Sequence, residues 1–215
     1  MTVKQQAYVL IGDLVASREE PARADLHRTL TAALAAVNDR HDADLRITVG
    51  DEFQGTLPTL GAATRAALDL RLALLPGHDI RHGIGHGATT VLDADAGIED
   101  GPGWWAARAA IEEAERLAGR AATRAARTSY RAADGAEGAA DDAVRAALLG
   151  RDELVGRLDE RGLSVLRGML SGSNQRQIAA DTGVSASAIS QRIRNDGLGV
   201  IVAMTQALER VEGAR

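Results

Sequence analysis

The sequence predicts an α+β protein, in which a ferredoxin-like or palm domain with the order βαββαβ precedes an all-α helix-turn-helix domain. Through the first 92 residues, short apolar strand segments alternate with helical spacings of apolar residues, which is typical of an antiparallel sheet with helices packed on one face. Two of these strands end in a Gly-Asp step, and beyond residue 136 every periodic segment has helical spacing. We therefore predict two domains, residues 1–135 and 136–215.

Apolar periodicity and turn residues define the first half of the palm domain. Residues 7–12 predict a buried strand, and apolar residues at helical spacing across residues 23–39 predict an amphipathic helix. Residues 45–57 predict a hairpin, because an apolar-polar alternation runs into a Gly-Asp turn and a second apolar strand follows. A second helix is predicted from residue 60 to residue 75, where a Pro-Gly pair ends it.

Glycines mark the next predicted strand, residues 79–87, and glycine within a strand indicates the close approach of another backbone. Its two histidines, His82 and His86, lie four residues apart. The glycine content argues against a zinc site, so we interpret them as structural or substrate-side residues. Residues 88–92 predict a further strand, and residues 97–103 predict a loop.

A helix over residues 104–117 carries both tryptophans and Arg108. After it, residues 124–132 predict a short edge strand, and residues 134–138 predict a linker of small and polar residues.

Composition narrows the class of protein. With 215 residues, 45% hydrophobic and 26% charged, the chain is long and apolar enough for a folded core. The absence of cysteine excludes disulfides and thiolate metal sites. No apolar run has the length of a membrane span and no secretory signal opens the chain, so we predict a cytoplasmic protein without a membrane partner.

Charge is unevenly distributed along the chain. The formal net charge is −5, but residues 151–215 carry nine arginines against eight acidic residues, a net of +1. The remaining −6 argues against nucleic-acid coating of the first part, whereas the second part permits DNA binding without requiring it.

Asp13 and Asp51 are the candidate metal ligands, because each follows a glycine at the end of an apolar strand. Neighbouring carboxylates repel each other unless a cation lies between them, and Mg²⁺ or Mn²⁺ accepts carboxylate and phosphate oxygens. Asp51 alone is equally explained as a turn residue. Two such steps on adjacent elements favour a metal site.

Residues after the first Gly-Asp step are suited to phosphate binding. Leu14 and Val15 offer backbone amides, Ser17 a hydroxyl and Arg18 a guanidinium, which together match the needs of a triphosphate. Arg18 by itself is equally explained as a solvated surface residue. At the second Gly-Asp step, in the hairpin, we assign Gly50 and Glu52 to the same nucleotide site.

Four motifs resemble those of class III nucleotidyl cyclases. Residues 11–17 resemble their first metal-binding strand, and residues 47–53 resemble their Gly-Asp hairpin and the GGDEF signature of diguanylate cyclases. Residues 81–87 are similar to their glycine-containing strand, and residues 104–108 stand where they carry a helix with an arginine. The order matches over roughly residues 7–118, and the combination most closely resembles the SatD family, a bacterial group.

The resemblance implies roles for three residues. Asp13 and Asp51 would bind two divalent ions, one of which activates the attacking ribose hydroxyl. Arg108 would stabilise charge on the transferred phosphoryl group. Cyclases form this site between two subunits, so the resemblance also implies a homodimer in which Arg108 acts across the interface.

The chain departs from the cyclase pattern at positions that serve base recognition and transition-state stabilisation. Ile47 stands where cyclases have a lysine, Trp104 replaces their transition-state asparagine, and Asp100 lies near but out of register with their base-specifying acid. These departures favour nucleotide binding over cyclisation and leave another phosphoryl-transfer reaction open.

Helical periodicity continues to the end of the chain. We predict helices over residues 141–158, 161–170, 174–181 and 197–211, and a further helix from Ser185 to about residue 194. Ser173 is predicted to cap the helix over residues 174–181, and Ser185 is predicted to cap the helix that runs to about residue 194.

The pair of short helices resembles the helix-turn-helix of LuxR-type regulators and sigma-factor region four. Ala179, Gly183 and Ile189 have the spacing of that motif, with Gly183 supplying the positive φ after the first helix. A plain helical hairpin used for packing or dimerisation is the alternative. The residues assigned to double-stranded DNA, by base or phosphate contact, are Ser173, Gln175, Ser187, Ser190, Gln191 and Arg194.

Three functions remain open from the sequence. The preferred one is a nucleotide- and metal-binding transcriptional regulator whose dimer geometry controls DNA binding. The alternative is an active nucleotidyl cyclase, or another phosphoryl or nucleotidyl transferase, with Asp13, Asp51 and Arg108 as catalytic residues. The third is a structural dimer with a degenerate site.

Overall fold

A computed structural model of the protein describes residues 4–15, 23–93, 97–136 and 140–211. Within these ranges the chain forms a mixed α+β fold with six strands and eight α-helices. The strands are β1 (Lys4–Leu14), β2 (Arg46–Ile47), β3 (Phe53–Leu57), β4 (Ile80–Asp93), β5 (Ile98–Asp100) and β6 (Thr128–Ala132). The helices are α1 (Arg23–His41), α2 (Leu60–Leu74), α3 (Pro102–Ala118), α4 (Asp141–Val155), α5 (Glu160–Leu170), α6 (Gln175–Thr182), α7 (Ala186–Asn195) and α8 (Leu198–Glu209).

One sheet contains all six of these strands. Its order is β2-β3-β1-β4-β5 with antiparallel neighbours, and β6 pairs with β4 in parallel. β1 therefore lies between β3 and β4, so the hairpin adjoins the first strand as the sequence predicted. Two boundaries were wrong: residues 80–93 form one continuous strand, and the predicted loop at residues 97–103 contains β5.

Helices cover both faces of the sheet, so the prediction that all of them pack on one face is wrong. Side chains alternate between faces along a strand. Leu10 and Leu14 of β1 belong to the apolar core shared with α1 and α2. Val9 and Ile11 of the same strand pack instead against Trp104, Ala107 and Ile111 of α3.

Glycines in β4 allow α3 to lie directly on the strand, which confirms the predicted close approach. A Cβ on Gly83 would lie 2.7 Å from the Cβ of Ile111, and a Cβ on Gly85 would lie 2.8 Å from the Cα of Ala107. Both distances are too short for van der Waals contact, so any side chain at these positions would force the helix and the strand apart.

The C-terminal helices share apolar cores with the sheet-bearing part of the chain. Leu68 and Leu72 of α2 pack in one cluster with Leu166 of α5 and Ile201 of α8. Val144 of α4 belongs to the core that contains β1 and α1. Extensive packing thus crosses the predicted boundary at residues 135 and 136, and the division into two domains stays a prediction.

A buried ion network also links these parts. Arg71 of α2 donates from Nη1 to Oδ1 of Asp152 at 3.0 Å and from Nε to Oδ1 of Asp79 at 2.8 Å. Asp152 of α4 also accepts the backbone amides of Arg127 and Thr128 at 2.7 and 2.6 Å. Buried carboxylates that are paired and hydrogen-bonded in this way fix the relative positions of the elements that carry them.

Local signals placed most of the C-terminal helix ends correctly. Ser185 caps α7 by accepting the amide of Ala188, as predicted. The predicted cap at Ser173 is wrong, because the cap of α6 is Asn174, which forms a reciprocal capping box with Gln177. Among the described residues, no helix combines the length and the apolar character needed to cross a membrane.

We predict that Gly85→Ala lowers the free energy of unfolding by about 3 kcal/mol, because the added methyl group forces α3 away from β4. Urea unfolding measures the change. Gly119→Ala is the matched control, because Gly119 lies at a helical φ of −70° and the added atom would be 3.6 Å from the carbonyl oxygen of Arg116. It should change the free energy by less than about 1 kcal/mol. Equal effects of the two substitutions would contradict the close packing.

Candidate functional site

The end of β1 and the turn between β2 and β3 bring the two Gly-Asp steps together. The amide of Leu14 donates to Oδ2 of Asp51 at 3.2 Å. The turn itself is closed by a bond from the amide of Glu52 to the carbonyl of Val49, with Gly50 at a φ of +65°. The expected proximity of Asp13 and Asp51 is therefore present.

Gly12 sets the spacing of this site. It lies opposite Phe53 in the pairing of β1 with β3, and a Cβ at Gly12 would lie 2.2 Å from Cζ of the Phe53 ring, too close for van der Waals contact. The buried ring packs edge-on against His82 with centroids 6.0 Å apart. The glycine therefore lets Phe53 cross β1 at the residue immediately before Asp13.

Asp13 is paired with a cation that the sequence did not reveal. Arg81 faces it in the register of β1 and β4 and donates from Nε and Nη2 to its two carboxylate oxygens, at 3.0 and 3.3 Å. Burial nevertheless raises the pKa of Asp13, and the charges of Asp51 and Glu115 raise it further against the opposing effect of Arg81. The charged form of Asp13 is thus disfavoured by its burial and by two negative neighbours, against one positive neighbour.

The donor set fits a divalent cation that is completed by other ligands. Among the described residues no three acidic or histidine side chains converge on one point. Mg²⁺ is commonly held by one or two carboxylates together with substrate phosphates and water. Asp13 and Asp51 can supply the two carboxylates, and the remaining ligands would come from a phosphorylated substrate.

A pocket of about 560 Å³ adjoins this site. Leu14, Gly50 and Asp51 form the wall on the side of the sheet. The opposite wall belongs to α1 and consists of Ala24, Leu26, His27, Arg28 and Leu30. Its volume is in the range of small-molecule sites, and its lining is apolar with few polar groups, as such sites usually are.

Of the other residues predicted to bind the nucleotide, two have backbone amides that already donate to acceptors within the protein, and two lie outside the described residues. The Leu14 amide already donates to Asp51, and the Val15 amide donates to the carbonyl of Asp79 at 3.0 Å. A phosphate would have to compete with these acceptors. Ser17 and Arg18 lie outside the described residues.

Arg108 lies near the turn rather than at the carboxylate pair. Its Nη2 is 3.8 Å from Oε2 of Glu52, and both side chains are about half exposed, at 50% and 47%. Of the two tryptophans, Trp104 is buried on the sheet, whereas Trp105 is exposed and donates from Nε1 to Asp100 at 2.9 Å. Trp104 packs against Val9 and Ile11 of β1.

The burial of His82 and His86 favours the structural one of the two roles predicted for them. Both are buried, and His86 stacks on Tyr8 with ring centroids 4.3 Å apart. Neither ring nitrogen of His82 has a hydrogen-bond partner among the described atoms. Burial, and then the nearby charges of Arg71 and Arg151, lower the pKa of His82 to about 3.

The residues assigned to DNA lie on α6, α7 and the preceding turn. Ser187, Gln191 and Arg194 of α7 are exposed. Ser190 donates to Oε1 of Gln175 at 2.8 Å, so these two side chains bind each other. Ser173 is half-buried and its amide donates to the carbonyl of Gly168.

Comparisons with known proteins agree with part of this picture. The family model described as SatD family matches residues 8–210. No curated protein sequence matches the chain.

Several solved structures of nucleotidyl cyclases match part of the chain. A bacterial light-regulated adenylyl cyclase is 13% identical with a TM-score of 0.46, and the match covers 54% of this chain and 42% of that one. The adenylate/guanylate cyclase/hydrolase from Silicibacter pomeroyi is 19% identical, with a TM-score of 0.44 and coverages of 53% and 73%. A guanylyl cyclase domain of the RhoGC fusion protein from the aquatic fungus Blastocladiella emersonii is 18% identical with a TM-score of 0.43. That match covers 52% of this chain and 75% of the fungal domain. None of these matches bears on the resemblance of α6 and α7 to LuxR-type regulators, which stays a prediction.

The lowered pKa of His82 predicts a specific acid sensitivity. The folded pKa is about 3 and the ordinary value is 6.5, so the unfolded chain takes up the proton first. The contribution of neutral His82 to the free energy of unfolding is therefore complete above pH 6.5 and is lost as the pH falls from 6.5 towards 3. Between pH 7.5 and pH 5, wild type should lose on the order of 2 kcal/mol more free energy of unfolding than His82→Leu.

Urea unfolding at the two pH values provides the measurement. His27→Gln is the control, since His27 is exposed on α1, and it should keep the pH dependence of wild type. The same pH dependence in wild type and His82→Leu would show that His82 is not the responsible group.

Proposed function

The chain belongs to the SatD family, and from this premise we propose that its sheet binds a nucleoside triphosphate with Mg²⁺ or Mn²⁺ and catalyses phosphoryl or nucleotidyl transfer. The observation that carries the proposal is the meeting of Asp13 and Asp51 at the end of β1. The Leu14 amide holds Asp51 in place, and the charge of Asp51 raises the pKa of Asp13 after the larger effect of burial. Two carboxylates kept together against their repulsion are a common feature of cation sites.

The roles of the side chains follow from this arrangement. Asp13 and Asp51 would hold the cation, which when bound polarises a phosphoryl oxygen as a Lewis acid. The turn with Gly50 and Glu52 would orient the phosphates beside the pocket, which is large enough for part of a nucleotide. Arg108, near the turn and half exposed, would stabilise negative charge on the transferred group, in the same chain or across a homodimer.

Nucleotide cyclisation is one reaction of this transfer class, and base selection in it would fall to residues other than Ile47 and Trp104. In cyclisation the ribose 3′ oxygen bonds to the α-phosphorus, pyrophosphate leaves and the hydroxyl proton passes to solvent. Ile47 cannot donate a hydrogen bond to a base, and Trp104 is packed against Val9 and Ile11. The same carboxylates suit attack by another hydroxyl or by water equally well, so we propose the transfer class and not one nucleotide.

We predict that the wild-type protein, incubated with ATP, GTP, CTP and UTP plus Mg²⁺ or Mn²⁺, converts at least one of them to a new product. Asp51→Asn should lower the rate about a hundredfold or more, because loss of a metal ligand removes several kcal/mol of charge stabilisation. Mass spectrometry of the products measures the conversion. Asp44→Asn is the matched control, since Asp44 precedes the same hairpin with its side chain 84% exposed.

The outcomes separate the candidate functions. Equal conversion by Asp51→Asn and wild type would contradict the assignment of the site. Unchanged nucleotides together with metal-dependent binding that Asp51→Asn removes would exclude the transfer reaction and support a nucleotide sensor.

A second candidate function, binding of double-stranded DNA, is favoured by one specific feature of α6 and α7. The two capped helices are joined through Gly183 at a φ of +66°, and α7 presents Ser187, Gln191 and Arg194 to solvent. Glutamine and arginine side chains on an exposed helix can form bidentate bonds with adenine and guanine edges. We propose α7 as the helix that enters the major groove.

We predict salt-sensitive binding of the protein to a pool of random-sequence DNA duplexes about three helical turns long. The double variant Gln191→Ala and Arg194→Ala should bind about tenfold or more weakly. Fluorescence anisotropy measures the affinity. Arg120→Ala, which removes an exposed arginine after α3, should bind like wild type. Equal affinity of wild type and the double variant would rule out α7 as the DNA-binding helix.

A further inference from the structure

The guanidinium of Arg81 is shared between two carboxylates at the candidate metal site. Nε and Nη2 donate to the two oxygens of Asp13 at 3.0 and 3.3 Å. The remaining nitrogen, Nη1, lies 2.7 Å from Oε1 of Glu115. Arg81 thus binds both carboxylate oxygens of Asp13, a proposed metal ligand. It also binds Glu115, which has no proposed part in holding the metal.

The position of each group follows from the fold. Asp13 and Arg81 are direct partners in the register of β1 and β4, and Glu115 lies near the end of α3, which packs on that face. The Arg81 side chain is only 15% exposed, whereas that of Glu115 is 67% exposed. Asp13 therefore holds the guanidinium from the inner side and Glu115 from the solvent side.

The net charge of the groups at this site matches the charge of one divalent cation. Asp13, Asp51 and Glu115 oppose the single positive charge of Arg81, so these interacting groups carry a net charge of −2. A dication that binds Asp13 while Arg81 remains on the same carboxylate meets a positive charge within about 4 Å, which disfavours binding. Movement of the guanidinium away from Asp13 removes that repulsion.

We propose that Arg81, which the structure pairs with Asp13, transfers fully to Glu115 when a divalent cation binds. The inference rests on the metal site proposed above and makes Arg81 and Glu115 positioning residues for it. Because Nη1 already contacts Glu115, rotation of the guanidinium breaks two bonds to Asp13 and keeps the third. Asp13 would then be available to hold the cation, and the guanidinium stays paired instead of being left buried and unpaired.

Mn²⁺ titration of the nucleotide-free protein tests the exchange, with the electron paramagnetic resonance signal of the free ion as the readout. Arg81→Met should bind Mn²⁺ about tenfold more tightly than wild type, because the competing cation is gone. Glu115→Gln should bind about tenfold more weakly, because the guanidinium has no second partner. Glu112→Gln, an exposed acid on the same helix, removes the same charge without a described contact to Arg81 and should change the affinity little.

Two further variants test whether Arg81 and Glu115 act through the same exchange. Arg81→Lys keeps the positive charge but cannot pair with two oxygens at once, so its affinity should fall between those of wild type and Arg81→Met. In the Arg81→Met background, Glu115→Gln should lose most of its effect, since the two residues act through one exchange. Thermal melting of each variant without metal confirms that it is folded.

The outcomes distinguish this inference from the proposed function. Tight Mn²⁺ binding that depends on Asp51 but is unchanged or weakened by Arg81→Met overturns the exchange and leaves the metal site standing. Binding that Asp51→Asn does not alter overturns both. No Mn²⁺ binding by wild type or by Arg81→Met overturns the exchange alone, because the proposed metal site is completed by substrate phosphates.

Discussion

Strand β1 pairs with β3 along one edge and with β4 along the other, and both ladders are antiparallel. A slip of one residue in either ladder would turn every side chain of β1 to the opposite face. The observed register places Gly12 beneath Phe53 and sets Asp13 opposite Arg81. Leu14 is the first residue beyond Asp13, and its amide reaches Asp51. The candidate site is therefore a consequence of backbone pairing and of one glycine, and it needs no long loop to assemble it.

The same end of the sheet is tied to the C-terminal helices. The Val15 amide donates to the carbonyl of Asp79, and the side chain of Asp79 pairs with Arg71, which in turn binds Asp152 of α4. Removal of one partner from such a buried pair typically costs about 3–5 kcal/mol, so these groups act as one unit. Through Asp152, α4 is thus part of the structural support of this end of the sheet.

Periodicity and turn chemistry were sufficient to predict β1, α1, α2 and the hairpin, because each is a local pattern. The two Gly-Asp steps were also visible, and the βαββαβ order was enough to bring them together. The position of α3 on the opposite face could not be predicted, because it depends on which face of β4 carries Gly83 and Gly85. Arg81 was missed as a partner of Asp13 for a related reason: the two are 68 residues apart, and only the register joins them. β5 has three residues, too few for a periodic signal.

Anomalous X-ray diffraction at the manganese edge, from crystals grown with Mn²⁺ and a non-hydrolysable nucleoside triphosphate analogue, would locate the cation and the nucleotide together. We expect a manganese peak about 2 Å from a carboxylate oxygen of Asp13 and of Asp51, with the analogue's phosphates on its other side. A nucleotide bound elsewhere on the molecule, or a manganese peak that touches neither carboxylate, would contradict it.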